Sequence, residues 1–281
     1  MAYIKSYTKK LREIENYLDF AIDISDRTSG KKNVPWKLAR AHQLYIRLTV
    51  TCLSFIRLLP KNRYLKTNFE FWDFPSVANI ARNFIETYHV FYYIGVDKIT
   101  DEETDLRLSI FNYHLNNEKY KLYKEFGAPI EDLKEFEINL PKAKEEIKNH
   151  KAFSGIEASR VKGILNGTEF MSMTHKEISD KIGFDTKEFR PMYRFLSNQT
   201  HSTPFSFFSQ SNERGRGIEN QPEVNYIVMC IDFVAKYLLA AMTDIIKLFP
   251  DCQATLDKGK LKIVNDRLTD YVKENGPQQS A

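Results

Sequence analysis

Residues 38–60, LARAHQLYIRLTVTCLSFIRLLP, decide the fold class. Leu38, Ala41, Tyr45, Leu48, Cys52, Phe55 and Leu59 recur at alternating spacings of three and four. On a helix of 3.6 residues per turn this stacks them into one apolar stripe. Such a stripe must be buried against a neighbour, and antiparallel helix packing suits it. Pro60 has no amide hydrogen to continue the ladder and stops the helix.

The same period runs through most of the chain. Pro75 sets up a helix over residues 76–94, with Gly95 at its end. Thr100 and Glu103 have the spacing of a capping box and start a helix that reaches about Phe126, where Gly127 and Pro129 break it. A further helix is expected over 131–150. Ser154 with Glu157, and Thr174 with Glu177, repeat the capping-box spacing and predict a shorter helix after each. Pro191 is expected in the first turn of another, where a proline loses no hydrogen bond. A long helix over 223–249 and a shorter one over 260–273 follow. The expected fold is all-α, one domain over residues 1–273: a bundle of about six to eight helices with long core helices at 76–94 and 223–249 and a polar pocket between core helices. Residues 202–222, rich in Ser, Asn, Gly and Pro, predict a mobile loop, and 274–281 a disordered tail.

Composition supports this reading and excludes others. The chain has 281 residues, 42% apolar and 13% aromatic, which is ample for a core and excludes global disorder. Only 11 Gly and 10 Pro favour long helices over strands and turns. Cys52, Cys230 and Cys252 are too few and too scattered for a disulfide framework or a zinc site. A reducing cytoplasm is the expected location, since the opening Met-Ala-Tyr-Ile-Lys-Ser lacks the apolar core of a signal peptide. Residues 226–249 are the most apolar stretch, but Asp232, Lys236 and Asp244 interrupt it, which predicts a buried core helix and no membrane span.

Net charge is +4, and its distribution says more. From Arg27 to Phe69 there are ten basic residues and no acid, with Trp36, Tyr45, Phe55 and Tyr64 interleaved. Cations that neutralise phosphate beside rings that stack on bases are what single-stranded nucleic acid requires, which makes Arg40, Arg47 and Arg57 candidate RNA contacts. The competing reading puts the rings in the core and leaves the cations solvated or paired with the acidic segment from Asp97 to Glu146.

Two helices carry candidate chemistry. On the apolar helix at 76–94, Arg82, Glu86 and His89 fall at i, i+4 and i+7 and form one polar stripe. A buried ion is costly without a partner, so Arg82 and Glu86 are expected to pair or to face a shared polar cavity. Glu86-x-x-His89 has the spacing of half a di-iron site, but no second Glu-x-x-His exists, so neither metal nor cofactor is expected. Downstream, Tyr193-Arg194-Phe195-Leu196-Ser197-Asn198-Gln199-Thr200-His201 places Arg194, Ser197, Asn198 and His201 on one polar face. Imidazole exchanges protons near neutrality, and a guanidinium fork holds phosphate. The competing view is a solvated face whose histidine favours a helix C-terminus. An Arg and a His seven positions apart also occur at Arg82–His89 and Arg107–His114. Lys176–Phe184 has the look of the first helix and turn of a helix-turn-helix, with Pro191 interrupting the would-be reader and Asp185 and Glu188 facing phosphate.

In an all-helical chain, the Arg194-x6-His201 helix resembles the HEPN superfamily, whose signature is an arginine, four to six residues, then a histidine. Tyr193-x-x-Leu196-Ser197-x-x-x-His201 together with an upstream Arg82-x-x-x-Glu86 helix is also similar to a large bacterial all-helical family. The resemblance spans about residues 36–249. It implies a metal-independent endoribonuclease acting as a toxin or phage-defence effector, with His201 and Arg194 catalytic on the RNA 2′-hydroxyl and scissile phosphate. Arg82, Glu86, Tyr193, Ser197 and Asn198 support them, and a homodimer or a partner protein is expected. Many HEPN motifs carry a polar residue directly after the arginine, and here that residue is Phe195. The alternative is a non-catalytic helical module that binds RNA, a nucleotide or a protein partner.

Overall fold

The first helix of the chain is one the spacing argument above passed over. In the computed structural model, which describes residues 2–31, 34–66, 69–184, 186–201, 203–208 and 214–275, α1 spans Ala2–Thr28. Its stripe of Tyr7, Leu11, Ile14, Leu18, Ala21 and Ile24 is fully buried. Next come α2 (Trp36–Leu58) and α3 (Phe74–Phe91), whose N-terminus is capped by Asp73 accepting from the Ser76 amide, with Pro75 in the first turn. A π-turn, Tyr92–Val96, extends α3. Gly95 does not end the helix through a left-handed conformation, as its position suggested. It lets the π-turn lie against α2, where a Cβ would meet the Ala41 Cβ at 2.6 Å.

Contacts divide the chain into two compact units, residues 1–96 with 175–281, and residues 97–174, where the sequence reading drew one domain. The second unit holds α4 (Asp101–Glu125), α5 (Ile130–Lys148) and α6 (Ala158–Leu165). Thr100 and Glu103 form the capping box in full, each side chain bonded to the other's backbone. The box expected at Ser154 and Glu157 does not form. Lys151–Gly155 is a 3₁₀ turn, and Glu157 precedes α6 without a side-chain cap. Leu106, Ile110, Tyr113, Ile147 and Ile164 make this unit's core, and Asp97 pairs with Arg107 at 2.7 Å, both buried.

The first unit is completed by α7 (His175–Ile182), α8 (Thr186–Thr200), α9 (Pro204–Phe208), α10 (Gln221–Leu248), α11 (Pro250–Gln253) and α12 (Lys258–Asn275). α10 is long and apolar enough to cross a membrane, but 72% of its most apolar window is buried inside the protein. It packs on α1, α2, α3 and α12 as the central core helix. Its buried Lys236 pairs with Glu188 of α8 at 2.8 Å. Pro191 lies inside α8 rather than in its first turn.

Among the described residues there are twelve α-helices and no strand, so all-α holds while the count exceeds the expected six to eight. α2 to α8, α10 and α12 each answer to an expected helix, α6 and α7 among them; the three that do not are α1, α9 and α11, the last two only five and four residues long. Helices of that length show too few turns for periodicity to reveal them, and tertiary packing holds them. Within 202–222, α9 forms, and the far end is fixed by the Trp72 amide donating to the Gly217 carbonyl at 3.0 Å and by the buried Arg214–Glu223 pair at 3.1 Å. The rest of that predicted loop, residues 202 and 209–213, lies outside the described residues. Of the predicted tail, α12 includes 274–275, and 276–281 lie outside them.

Candidate functional site

α3 packs against both α7 and α8, and this brings its polar stripe to the motif helix. Arg82 lies at the centre of the cluster. Its Nε donates to Glu86 Oε1 at 3.0 Å, Nη2 reaches Tyr193 Oη at 3.5 Å, and Nη1 stands 3.3 Å from His201 Nε2. The guanidinium also lies over the Tyr193 ring, 5.2 Å from its centroid. Tyr193 Oη closes the ring by donating to Glu86 Oε1 at 2.6 Å.

Arginine can only donate, so a hydrogen bond at this contact has His201 Nε2 as its acceptor. Partial burial raises the Tyr193 phenol above its ordinary value, and the Glu86 carboxylate adds to the rise. Tyr193 therefore stays protonated near neutrality and serves as a donor. The Arg82 and Glu86 side chains are 17% and 32% exposed, so solvent reaches the cluster. His201 itself is exposed, in the turn after α8.

Other predicted site residues fall elsewhere. Arg194 is exposed on α8 and has no side-chain partner among the described residues. Asn198 is used locally, donating to the Arg194 carbonyl at 2.9 Å and accepting from Thr203 Oγ1 at 2.9 Å. Ser197 is half-buried. Phe195 is packed between Phe74 and Tyr226. The structure thus joins Arg82, Glu86, Tyr193 and His201 and leaves Arg194 outside. The other two Arg–His repeats do not converge internally either. Arg107 is held by Asp97 while His114 Nδ1 contacts the Gly167 carbonyl at 2.9 Å.

A second feature was not legible as a pair. His89 Nδ1 lies 3.0 Å from His175 Nδ1. His89 is fully buried, and its Nε2 has no hydrogen-bond partner among the described residues. Burial, then the neighbouring His175, holds its pKa well below the usual histidine value, so the His89 ring is neutral and the two Nδ1 atoms share one hydrogen. The His175 ring packs on Tyr193 at 5.6 Å, which connects this pair to the Arg82 cluster. His89 carried a sequence signal through the polar stripe. His175, at the start of a short polar helix, carried none. No group of three or more His, Cys, Asp or Glu side chains able to hold a metal is found among the described residues.

The basic block departs from the nucleic-acid reading. Tyr45 and Phe55 are fully buried and unavailable for stacking. Arg40 folds over Trp36 and donates to Gln43 at 2.7 Å, and Tyr64 donates to Asp19 at 2.6 Å. Arg27 pairs with Asp23 and Lys31 with Asp251. Only Arg47 and Arg57 of the candidate trio stand exposed without a side-chain partner among the described residues. The helix-turn-helix reading meets a similar obstacle, because α8 buries Phe189, Met192 and Leu196 and its Glu188 pairs with Lys236.

Comparison with curated proteins and with solved structures returned no match. The family comparison did match, over a span containing both arms of the cluster, Arg82 with Glu86 and Tyr193 with His201. Residues 39–217, more than half of the chain, fit a family of unknown function (DUF5677), and the chain belongs to that family.

Proposed function

We propose that this chain is a metal-independent endoribonuclease of HEPN type, acting in the cell as a toxin or phage-defence effector, with His201 as the base and Arg82 as its charged partner. The observation that carries the proposal is the 3.3 Å contact between Arg82 Nη1 and His201 Nε2, made across 119 residues of sequence. An imidazole nitrogen presented beside a guanidinium is suited to taking a proton next to a phosphate. The incoming 2′-hydroxyl displaces Arg82 from Nε2 and gives its proton to that nitrogen as the 2′-oxygen attacks phosphorus. The bond from phosphorus to the 5′-oxygen breaks, and the leaving oxygen takes a proton from water. The freed Nη1 hydrogens turn to a non-bridging phosphate oxygen, while the exposed Arg194 holds a neighbouring phosphate. The products are a 2′,3′-cyclic phosphate and a 5′-hydroxyl.

One observation favours a second reading. Glu86 already neutralises Arg82 at 3.0 Å, which suits a non-catalytic module binding RNA, a nucleotide or a protein partner. Incubation of purified protein with labelled single-stranded RNA, in EDTA, separates the two. The nuclease cuts RNA, leaves DNA of the same sequence intact for want of a 2′-hydroxyl, and loses roughly 10²–10⁴ in rate with His201→Ala. Intact RNA from the wild type, or an unchanged rate in the variant, overturns the proposal.

A further inference from the structure

α2 has two faces, and only one is used by the fold. The inner stripe through Tyr45, Leu48, Cys52 and Phe55 is fully buried. On the outer face Ile46, Val50 and Leu58 are 39%, 58% and 41% exposed, with Ser54 between them and Arg47 and Arg57 also exposed. Ile46, Val50, Ser54 and Leu58 are four apart and form one ridge along the helix. The whole of α2 carries four basic residues, Lys37, Arg40, Arg47 and Arg57, and no acid. An apolar ridge flanked by unpaired cations is unusual on a surface helix, whose outward side is ordinarily polar with both signs of charge.

The chemistry of this face selects its occupant. RNA fits poorly, because Tyr45 and Phe55 are in the core, Arg40 covers Trp36, and the ridge offers aliphatic groups to phosphate. A second copy fits poorly as well. Antiparallel pairing that sets Ile46 against Leu58 of the other copy turns about residue 52, and the same axis sets Arg47 against Arg57, cation on cation. A helix with aliphatic residues four apart and carboxylates roughly 15 Å apart along its axis, the rise between Arg47 and Arg57, satisfies both features at once.

We propose that the outer face of α2 is the docking surface for an acidic amphipathic helix of another protein. The proposal is independent of the nuclease reading, since none of these residues belongs to the Arg82 cluster. Its test places photoreactive benzoylphenylalanine at Val50 in the full chain, in its native cells, and maps the covalent adduct by mass spectrometry. The expected adduct is with one protein, in a helical segment carrying Asp or Glu beside Leu, Ile or Val. Arg47→Glu with Arg57→Glu should lower the adduct at least about tenfold with the melting midpoint unchanged, and Asp or Glu→Arg in the mapped segment should restore it. Arg47→Gln with Arg57→Gln gives an intermediate loss. An adduct with RNA, with a second copy or with a segment lacking carboxylates overturns the proposal, as does failure of the charge swap to restore the adduct, or no adduct at all.

Discussion

Arg82 and His89 stand two turns apart on α3, and the protein treats charge oppositely at the two places. Around Arg82, within reach of solvent, the charge is kept and answered by Glu86 at 3.0 Å. Around His89, with no exposure at all, the charge is refused: the ring is neutral and shares one hydrogen bond with His175. Tyr193 touches both, its ring near His175 and its hydroxyl on Glu86. Residue type and depth act together: a guanidinium stays charged and must be answered, as buried Arg107 is by Asp97, whereas an imidazole sheds its proton when water is removed. One end of the stripe therefore holds an ion pair within reach of solvent, and the other a buried ring packed against α7 and α8.

Mutation of the two histidines should split along that line. His201→Ala is expected to remove the rate named above with stability within about 0.5 kcal/mol, since an exposed residue in a turn contributes little to the fold. His89→Ala should do the converse. Emptying a fully buried ring site costs on the order of 2–4 kcal/mol, read as a lower urea midpoint at unchanged m-value. If His89→Ala melts with the wild type, the interior end of the stripe is not a packing element and the contrast fails.

Glu86→Ala should have a smaller effect. A fully buried pair broken at one partner costs roughly 3–5 kcal/mol, but both side chains here are partly exposed, so water screens what is lost and about 1–2 kcal/mol is expected. Tyr193 also loses its acceptor, and its phenol, now without the carboxylate, should titrate at lower pH by ultraviolet absorbance. A Tyr193 titration that does not move would mean that the 2.6 Å bond does not persist in solution.

Much of this was legible in residues and some was not. α2, α3 and α4 were readable because their stripes are long and bounded by Pro60, Pro75, and Thr100 with Glu103, and α10 because it is the most apolar stretch of the chain. α1 has as clean a stripe, but no cap, proline or glycine marks where it begins, and boundary signals had carried the other assignments. Pro191 misled because a proline inside a helix is the exception, tolerated in α8 by the packing of Phe189, Met192 and Leu196. In the site, Arg82 with Glu86, and Tyr193 with His201, were each visible as spacing on one helix. Their convergence was not, since periodicity describes one helix at a time and cannot say which two faces meet. Choosing Arg194 as the partner of His201 followed from that limit, as did overlooking His175.

The mildest expected effect is on the pH dependence of stability, and it isolates the buried end. His89 is held neutral in the folded chain well below the ordinary histidine pKa, whereas in the unfolded chain it titrates near 6.5. Above that pH both states are neutral and nothing depends on it. Below it the unfolded chain binds a proton that the folded chain refuses, so stability falls as pH drops through about 6.5, by at most about 1.4 kcal/mol per pH unit for one such group. His42, lowered by burial, acts in the same direction. Asp232 and Asp244 are raised by burial and act in the opposite sense, so the effect of His89 is read as the difference between variant and wild type over one pH range. Tyr88 and Tyr237, which face His89, are raised and remain uncharged throughout. His89→Leu, which keeps an apolar side chain in the site and cannot titrate, should flatten the urea-derived stability curve below about pH 6.5 relative to the wild type. A variant as steep as the wild type would place the proton elsewhere and remove His89 from the comparison with Arg82.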